Sequence, residues 1–208
     1  MNFEGFTLVF CNGDPPPKKR LDGIIRRPLC VVCADGGAQK AIATGYTPDL
    51  IVGDLDSLDG SYSFPDKTEI VKIPSQENTD FEKTLDLMLE RDMDDFLVTA
   101  FSGGRIDQTL ANVQIAYEYS SKCRIVLADD EYVVFPVRDH IEQILRPGTA
   151  VSVIAMADET VVTTVGLAYE LKNSIVPKGG HGVSNRSVKR EVKIKVDKGG
   201  ILVLVKYA

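Results

Sequence analysis

The chain has 208 residues, 44% of them hydrophobic and 26% charged, and a formal net charge of -6 at pH 7, values typical of an ordinary globular protein with one or two domains. The acidic balance argues against nonspecific binding to nucleic acid, which depends on clustered Lys and Arg. No uncharged apolar stretch reaches the roughly 18 residues of a membrane span, and the N-terminal segment lacks the basic start and apolar core of a signal peptide, so we expect a cytoplasmic protein without a membrane partner.

The first part of the chain, up to about residue 130, alternates short apolar runs with amphipathic stretches. The apolar runs, which are typical of buried strands, are FTLVFCNG, PLCVVCADGG, DLIVGD, TEIVKIP, DDFLVTAF and CRIVLADD. The amphipathic stretches, which are typical of helices, are AQKAIATGY, TDFEKTLDLMLERD and DQTLANVQIAYEYSS. This alternation predicts a mostly parallel, Rossmann-like sheet flanked by helices, with ligands beyond the carboxyl ends of its strands. The segment DPPPKKR indicates a rigid, exposed turn.

The second part, from about residue 131 to residue 208, is rich in β-branched side chains. Runs such as EYVVFPV, TAVSVIAM and GILVLVKY are separated by Gly, Pro or charged turns. This pattern predicts an antiparallel β-sandwich, so we expect two domains, residues 1–130 and residues 131–208.

Four cysteines, Cys11, Cys30, Cys33 and Cys123, raise the question of disulfides. Three of them lie within or beside the apolar runs of predicted strands, where reduced thiols are expected. Because Cys30 and Cys33 are three residues apart on a predicted strand, their side chains point to opposite faces and do not form a redox or zinc pair. We therefore expect free thiols.

The first chemical motif is IVGDLDSL, in which Asp54 and Asp56 follow an apolar run that ends in Gly53. In an extended segment, side chains two residues apart face the same way, so both carboxylates can bind one cation while Gly53 leaves the backbone free to turn. Hard divalent ions such as Mg²⁺ favour such ligands and are often shared with substrate phosphates. The alternative is a turn in which both aspartates only cap backbone amides.

The second motif is ENTDFEKTL, where Thr79 and Glu82 have the spacing of a helix-capping box. Capping explains Thr79, and the helix dipole favours an acid such as Asp80 at the first helical position. Lys83, one turn into the helix, is electrostatically misplaced unless it faces an anion. A phosphate bound there would satisfy both Lys83 and the free amides of the first turn.

The third motif is SGGRIDQTLAN, in which two glycines follow a predicted strand and Arg105 and Asp107 lie where a helix begins. The glycines let the backbone approach a ligand, and Arg105 is suited to a bidentate contact with phosphate. A plain N-cap is the alternative role for Asp107. The sequence has neither a G-x-x-x-x-G-K-[ST] motif nor a G-x-G-x-x-G motif after the first strand.

Taken together, these stretches resemble one enzyme family. The segments CADGGA, VGDLDS, QENTDFEKTL and GGRIDQTLAN, in this order and spacing, are similar to those of the thiamine pyrophosphokinases. The resemblance continues in the second part, where GLAYEL and GVSN occupy the places of that family's thiamine-binding stretches. Each motif alone is weak, but the ordered set is specific and covers nearly the whole chain.

The resemblance implies transfer of a pyrophosphoryl group from ATP to the hydroxyl group of thiamine, which gives thiamine diphosphate and AMP. It also implies a homodimer whose thiamine sites lie between subunits, with an ATP-binding catalytic domain at residues 1–130 and a thiamine-binding and dimerisation domain at residues 131–208. The residues that it assigns to Mg²⁺ are Asp54, Asp56 and Asp80. Those around the phosphates are Gln76, Thr79, Lys83, Arg105 and Asp107, with Asp35 at the nucleotide end. Those that meet thiamine are Tyr169, Ser184 and Asn185.

One position departs from the family pattern. Many relatives have a tryptophan where this chain has Tyr169, and the chain contains no tryptophan. A tyrosine still offers an aromatic face to a cationic ring, although a smaller one.

The chemistry of the reaction fits these side chains independently. Attack by an alcohol on the β-phosphorus requires neutralisation of the triphosphate, for which Mg²⁺, Lys83 and Arg105 are suited. The proton of the alcohol needs an acceptor, and Asp56 and Asp107 are the candidates.

Three other interpretations compete with this one. In a phosphatase of the haloacid dehalogenase type Asp54 would be the nucleophile, but Gly53 before it and Ser57 after the pair depart from that pattern. A nucleotide or thiamine sensor would keep the fold without needing a complete set of metal-binding acids. A non-catalytic α/β domain explains each acid singly but leaves Lys83, Arg105 and the paired glycines unexplained.

Overall fold

The computed structural model describes residues 3–56 and 64–206, so Ser57 lies outside the described residues. The chain divides into two compact units, Met1–Asp130 and Glu131–Ala208. None of the helices that the structure describes is long and apolar enough to cross a membrane.

The described part of the first unit contains six strands and four helices. In chain order they are β1 (Thr7–Phe10), α1 (Lys18–Ile24), β2 (Val31–Ala34), α2 (Gly37–Thr44), β3 (Leu50–Gly53), β4 (Glu69–Lys72), α3 (Asp80–Glu90), β5 (Asp95–Thr99), α4 (Ile106–Tyr119) and β6 (Arg124–Ala128). Neighbouring strands pair in parallel in the order β6-β5-β1-β2-β3-β4. Contacts of α2 with β1 and β2, of α3 with β2 and β3 and of α4 with β6 cover this sheet. The predicted parallel sheet with flanking helices is confirmed.

The core of the first unit lies along the central strands, because every residue of β1, β2 and β3 is buried. The edge strand β4 differs, since Glu69, Ile70 and Lys72 are exposed. Glu69 accepts two hydrogen bonds from the guanidinium group of Arg91 at the end of α3, at 2.7 and 2.8 Å. The apolar run TEIVKIP is therefore not a buried strand like the others, because β4 is an edge strand whose charged side chains protect the sheet edge.

The basic end of DPPPKKR begins a helix at Lys18, so the prediction of an exposed turn is wrong for those residues. Pro17 precedes α1 with a φ of -55°, a value that is compatible with the start of a helix. Leu21 and Ile24 of α1 are buried, whereas Lys18 and Asp22 form an exposed ion pair at 2.8 Å. The spacing of three residues between Leu21 and Ile24 is typical of a helix, but the basic residues before them favoured the prediction of an exposed turn.

The second unit is built from antiparallel strands. In chain order they are β7 (Tyr132–Val137), β8 (His140–Ile144), β9 (Ala150–Ala155), β10 (Val161–Val165), β11 (Ser174–Ile175), β12 (Gly182–Arg186), β13 (Glu191–Lys198) and β14 (Ile201–Lys206). They form two sheets within the unit, with the orders β12-β9-β14-β7 and β11-β10-β13-β8. Buried residues alternate with more exposed ones along β9 and β10, so one face of each sheet forms the core. The predicted antiparallel second part is confirmed.

Candidate active site

A cleft of about 420 Å³ lies at the carboxyl edge of the parallel sheet. The segments that follow β1, β2 and β5 line it, together with the first turns of α2, α3 and α4. Four residues singled out from the sequence, Asp35, Thr79, Asp80 and Arg105, are among the lining residues. The cleft is thus at the edge where ligands of parallel sheets bind.

Three carboxylates meet beside this cleft. Oxygen atoms of Asp35, Asp54 and Asp56 all lie within 4.8 Å of one another. Asp35 is buried, and Asp56 is exposed. Leu55 has a left-handed φ of 68°, so the expectation that the two aspartates of the D-x-D motif share an extended segment is wrong. The backbone turns at Leu55, the amide of Asp56 donates a hydrogen bond to Oδ1 of Asp54 at 3.2 Å, and both carboxylates still reach Asp35.

Gly53 acts through its missing side chain. A Cβ atom at this position would lie 2.8 Å from Cβ of Asp35 and 3.3 Å from Cγ of Asp80. The prediction that Gly53 leaves the backbone free to turn is wrong, because the turn is at Leu55. The glycine instead lets Asp35 and Asp80 pack against the end of β3.

The side chain of Gln76 binds Asp54 directly. Its amide nitrogen donates to Oδ2 of Asp54 at 2.7 Å. This hydrogen bond, with smaller contributions from the amide of Asp56 and the charge of Lys83, lowers the pKa of the Asp54 carboxyl below its usual value. Gln76 therefore extends to lower pH the range in which Asp54 is ionised, which is the form that a cation needs.

The start of α3 contains the predicted capping box. The hydroxyl group of Thr79 accepts a hydrogen bond from the amide of Glu82 at 3.2 Å, and the carboxylate of Glu82 accepts one from the amide of Thr79 at 2.8 Å. Lys83 is buried, and its Nζ atom lies 2.8 Å from Oδ1 of Asp80. The anion that Lys83 faces in this structure is therefore the first residue of its own helix.

The start of α4 does not fit the alternative in which Asp107 is a plain N-cap. The N-cap is Arg105, and Asp107 is the second residue of the helix. The carboxylate of Asp107 accepts hydrogen bonds from Nε and Nη2 of Arg105 at 3.1 and 2.5 Å. This bidentate pair lowers the pKa of Asp107, with a further contribution from the amide of Gln108. Both side chains are exposed, so a ligand in the cleft can reach them.

The first of the paired glycines, Gly103, occupies a position that only glycine can take. Its φ is 93°, and a Cβ atom there would lie 2.4 Å from a carboxylate oxygen of Asp14. Only glycine combines this backbone conformation with such a close approach.

Sequence reasoning missed Asp14 and Lys40, which also line the cleft. The Nζ atom of Lys40 lies 3.6 Å from Oδ1 of Asp14. Lys40 lies in the first turn of α2, where the helix dipole disfavours a cation, as it does for Lys83 in α3. The electrostatic reasoning applied to Lys83 therefore also predicts a functional role for Lys40.

The three residues assigned to thiamine lie in the second unit. The backbone amide of Tyr169 donates to Oδ1 of Asn185 at 3.1 Å, and Nδ2 of Asn185 donates to the carbonyl oxygen of Tyr169 at 2.8 Å. Asn185 thus fixes the backbone that carries the Tyr169 side chain, which is 71% exposed. Both residues line a cavity of about 220 Å³ with apolar walls that include Leu167 and Val183.

Ser184 adjoins this cavity on β12. Its φ is 63°, and its amide donates to the hydroxyl group of Ser152 at 3.1 Å. The register of β12 against β9 is irregular between Gly182 and Asn185, so Ser184 lies in a bulge.

Two family models match this sequence. The model of the thiamin pyrophosphokinase catalytic domain matches residues 23–127, and that of the thiamin pyrophosphokinase vitamin B1 binding domain matches residues 139–201. Among curated proteins, thiamine pyrophosphokinase 1 of Oryza sativa subsp. japonica is 26% identical over 204 residues, which cover 83% of this chain and 76% of the relative. Thiamine pyrophosphokinase 1 of Arabidopsis thaliana is 28% identical over 197 residues, which cover 80% of this chain and 73% of the relative.

Solved structures are similar in fold over almost the whole chain. Thiamin pyrophosphokinase from Candida albicans superposes with a TM-score of 0.82 at 17% identity, and the match covers 98% of this chain and 89% of that one. A thiamin pyrophosphokinase family protein from Enterococcus faecalis has a TM-score of 0.80 at 22% identity and covers 98% of this chain and 100% of its own.

Proposed function

The chain belongs to the thiamin pyrophosphokinase family and has that family's activity, and we propose that the cleft of the first unit is where it binds ATP. The reaction transfers the pyrophosphoryl group of ATP to the hydroxyl group of thiamine and gives thiamine diphosphate and AMP. The observation that carries the proposal is the proximity of Asp54 and Asp56 to Asp35 and of Lys83 to Asp80, since Asp35 and Asp80 both line the cleft.

Mg²⁺ fits these side chains. Asp54 and Asp56 bring carboxylate oxygens within 4.8 Å of each other, and the carboxyl group of Asp80 packs against Gly53, the residue before Asp54. Hard divalent cations take oxygen ligands and are commonly shared between carboxylates and substrate phosphates. We propose Asp54, Asp56 and Asp80 as the Mg²⁺ ligands. When bound, the cation would neutralise phosphate charge and stabilise the leaving AMP oxygen.

The remaining positive charge at the phosphates comes from the chain itself. Lys83 and Arg105 each hold a carboxylate in the free protein, Asp80 and Asp107 respectively. We propose that the triphosphate competes for both cations, since it carries more negative charge than one carboxylate. The backbone amides of the first turn of α3, next to Thr79, add neutral donors for phosphate oxygens.

The proton of the thiamine hydroxyl group is assigned to a carboxylate at the same edge, Asp56 or Asp107. The ion pair with Arg105 lowers the pKa of Asp107, so Asp107 is a weak base while the pair is intact. Because phosphoryl-type transfer demands little of a base, either carboxylate is sufficient.

Thiamine is assigned to the second unit. The exposed ring of Tyr169 offers a face to the thiazolium cation, and Asn185 and Ser184 offer polar groups beside it. Exposed apolar side chains of this unit, Val165, Ile175, Val183 and Val188, support a homodimer with the substrate site at the subunit interface. The free state of all four cysteines, which confirms the sequence prediction, supports a cytoplasmic location.

The test is a product analysis. The purified protein is incubated with ATP, Mg²⁺ and thiamine, and nucleotides and thiamine species are separated by chromatography. We expect AMP and thiamine diphosphate in equal amounts and no AMP when thiamine is omitted. Asp54→Asn is expected to abolish both products, and Asp66→Asn, an exposed acid before β4, to leave them unchanged. Formation of ADP or free phosphate instead would favour the phosphatase interpretation.

A further inference from the structure

Asp35 carries a carboxylate oxygen that the rest of the described chain does not use. The residue is 4% exposed, and its Oδ1 atom is buried without a hydrogen-bond partner among the described residues. Buried carboxylates are otherwise hydrogen-bonded or paired with a cation, because burial removes their hydration. Asp35 therefore has a buried carboxylate oxygen for which the described residues supply no partner.

The surroundings of Asp35 indicate what that partner is. One carboxylate oxygen from each of Asp35, Asp54 and Asp56 lies within 4.8 Å of the other two. Three acids at such distances repel one another unless a cation lies between them. Gly53 makes the arrangement possible, since a Cβ atom there would lie 2.8 Å from Cβ of Asp35.

Asp80 is in a different position. Its Oδ1 atom is 2.8 Å from Nζ of Lys83, and it is not a member of the three-carboxylate group found among the described residues. In the free protein, the charge of Asp80 is therefore already compensated, whereas Oδ1 of Asp35 has no hydrogen-bond partner among the described residues.

We propose that Asp35, Asp54 and Asp56 bind one divalent cation before any nucleotide arrives. Magnesium sites that depend on substrate usually have one or two carboxylates, with phosphates and water completing the shell. Three carboxylates, one of them buried and unpartnered, provide enough negative charge to hold the ion alone. This inference rests on the proposed function only for the identity of the physiological cation. It adds Asp35 as a metal ligand to Asp54, Asp56 and Asp80, the ligands proposed above for the nucleotide-bound state.

The test measures Mn²⁺ binding to the full chain without nucleotide, by the loss of the electron paramagnetic resonance signal of free Mn²⁺. We expect one site in the wild-type protein, with affinity at least tenfold lower in Asp35→Asn and unchanged in Asp66→Asn. Mg²⁺ is expected to displace the bound Mn²⁺ and to raise the melting temperature of the wild type but not that of Asp35→Asn. Because Asp35 is buried, Asp56→Asn at an exposed ligand serves as a second variant and is expected to weaken binding similarly.

Unchanged Mn²⁺ affinity in a folded Asp35→Asn variant, or no binding by the wild type without nucleotide, would overturn the inference. A turnover assay on the same preparations distinguishes failure of this inference from failure of the proposed function. An active wild type without a nucleotide-independent site removes the inference alone. A wild type that binds Mn²⁺ through Asp35 but forms no AMP removes the proposed function and leaves the cation site.

Discussion

The Nζ atom of Lys83 lies 2.8 Å from Oδ1 of Asp80, with 5% of the Lys83 side chain and 28% of the Asp80 side chain exposed. The two residues are the fourth and the first of α3, so they face each other across one helical turn. The carboxylate of Asp80 compensates a lysine charge that has little access to water. In this structure Asp80 therefore stabilises the fold as well as facing the cleft.

Replacement of Asp80 is expected to destabilise the protein. In Asp80→Asn the ammonium group of Lys83 remains buried without a charged partner, which we expect to cost about 1 to 3 kcal/mol of unfolding free energy. Urea denaturation followed by circular dichroism measures this loss. Asp54→Asn is the matched control, because Asp54 lies in a loop with exposed hydrogen-bond partners and its loss should lower the unfolding midpoint much less than Asp80→Asn does.

The double variant Asp80→Asn/Lys83→Met removes both charges and is expected to recover most of the lost stability. If Asp80→Asn were as stable as the wild type, the ion pair would have no structural role.

Local features of this site were predictable, and features that depend on strand register were not. Thr79 and Glu82 are three residues apart, so their spacing alone predicts the capping box. Asp35 and Asp54 come together because Ala34 and Val52 are paired on β2 and β3, which brings the ends of both strands to the same place. Without this register Asp35 could be placed only at the nucleotide end of the site.

The partner of Lys83 was within reach of sequence reasoning. Asp80 precedes it by three residues, a spacing that allows contact on a helix, but the electrostatic argument favoured an external phosphate. The position of Arg105 as the N-cap of α4 could not be predicted from the sequence. Its side chain makes no capping hydrogen bond, and such an N-cap has no sequence signature.

Removal of the hydrogen bond from Gln76 is expected to change the pH dependence of the enzyme. The bond favours the ionised form of Asp54 and lowers its pKa, so Gln76→Leu raises that pKa towards its usual value. Protonation of Asp54 then begins at a higher pH, and the acid limb of kcat/KM for ATP moves to higher pH in the variant. The same depressed pKa contributes stability above the unfolded-state pKa that is lost as the pH falls, and this contribution disappears in Gln76→Leu.

The measurement is a pH profile of kcat/KM, with circular dichroism at each pH to verify folding. Gln143→Leu on β8, in the other unit, is the control and should reproduce the wild-type profile. An acid limb that does not move in Gln76→Leu would show that another group limits activity at low pH.

Tyr169 is expected to affect thiamine and not ATP. Loss of its ring in Tyr169→Ala removes a cation–π contact and should raise the KM for thiamine about 2- to 30-fold, with the KM for ATP unchanged. Because the side chain is 71% exposed, the melting temperature should stay within experimental error. Tyr169→Phe keeps the ring and should behave like the wild type, whereas Tyr169→Trp should lower the KM for thiamine. Equal increases of both KM values in Tyr169→Ala would place Tyr169 outside the thiamine site.

A shared site between subunits predicts rescue when an inactive chain is mixed with a chain defective in thiamine binding and the mixture is assayed at a thiamine concentration far below the KM of the second chain. Asp54→Asn disables the cleft of the first unit, and Asn185→Ala releases the backbone of Tyr169 in the second unit. If each site combines the first unit of one subunit with the second unit of its partner, a mixed dimer contains one intact site. After random exchange half of the dimers are mixed, so activity should return to about one quarter of the wild-type value.

The measurement is the rate of AMP formation after denaturation and joint refolding of the two variants, each with a different affinity tag. Successive purification on both tags verifies that mixed dimers have formed. The pair Asp54→Asn and Asp56→Asn is the control, because both changes fall in the first unit and no combination of these chains contains an intact cleft. Mixed dimers of Asp54→Asn and Asn185→Ala without activity would contradict the shared site, since each of them should contain one complete set of side chains.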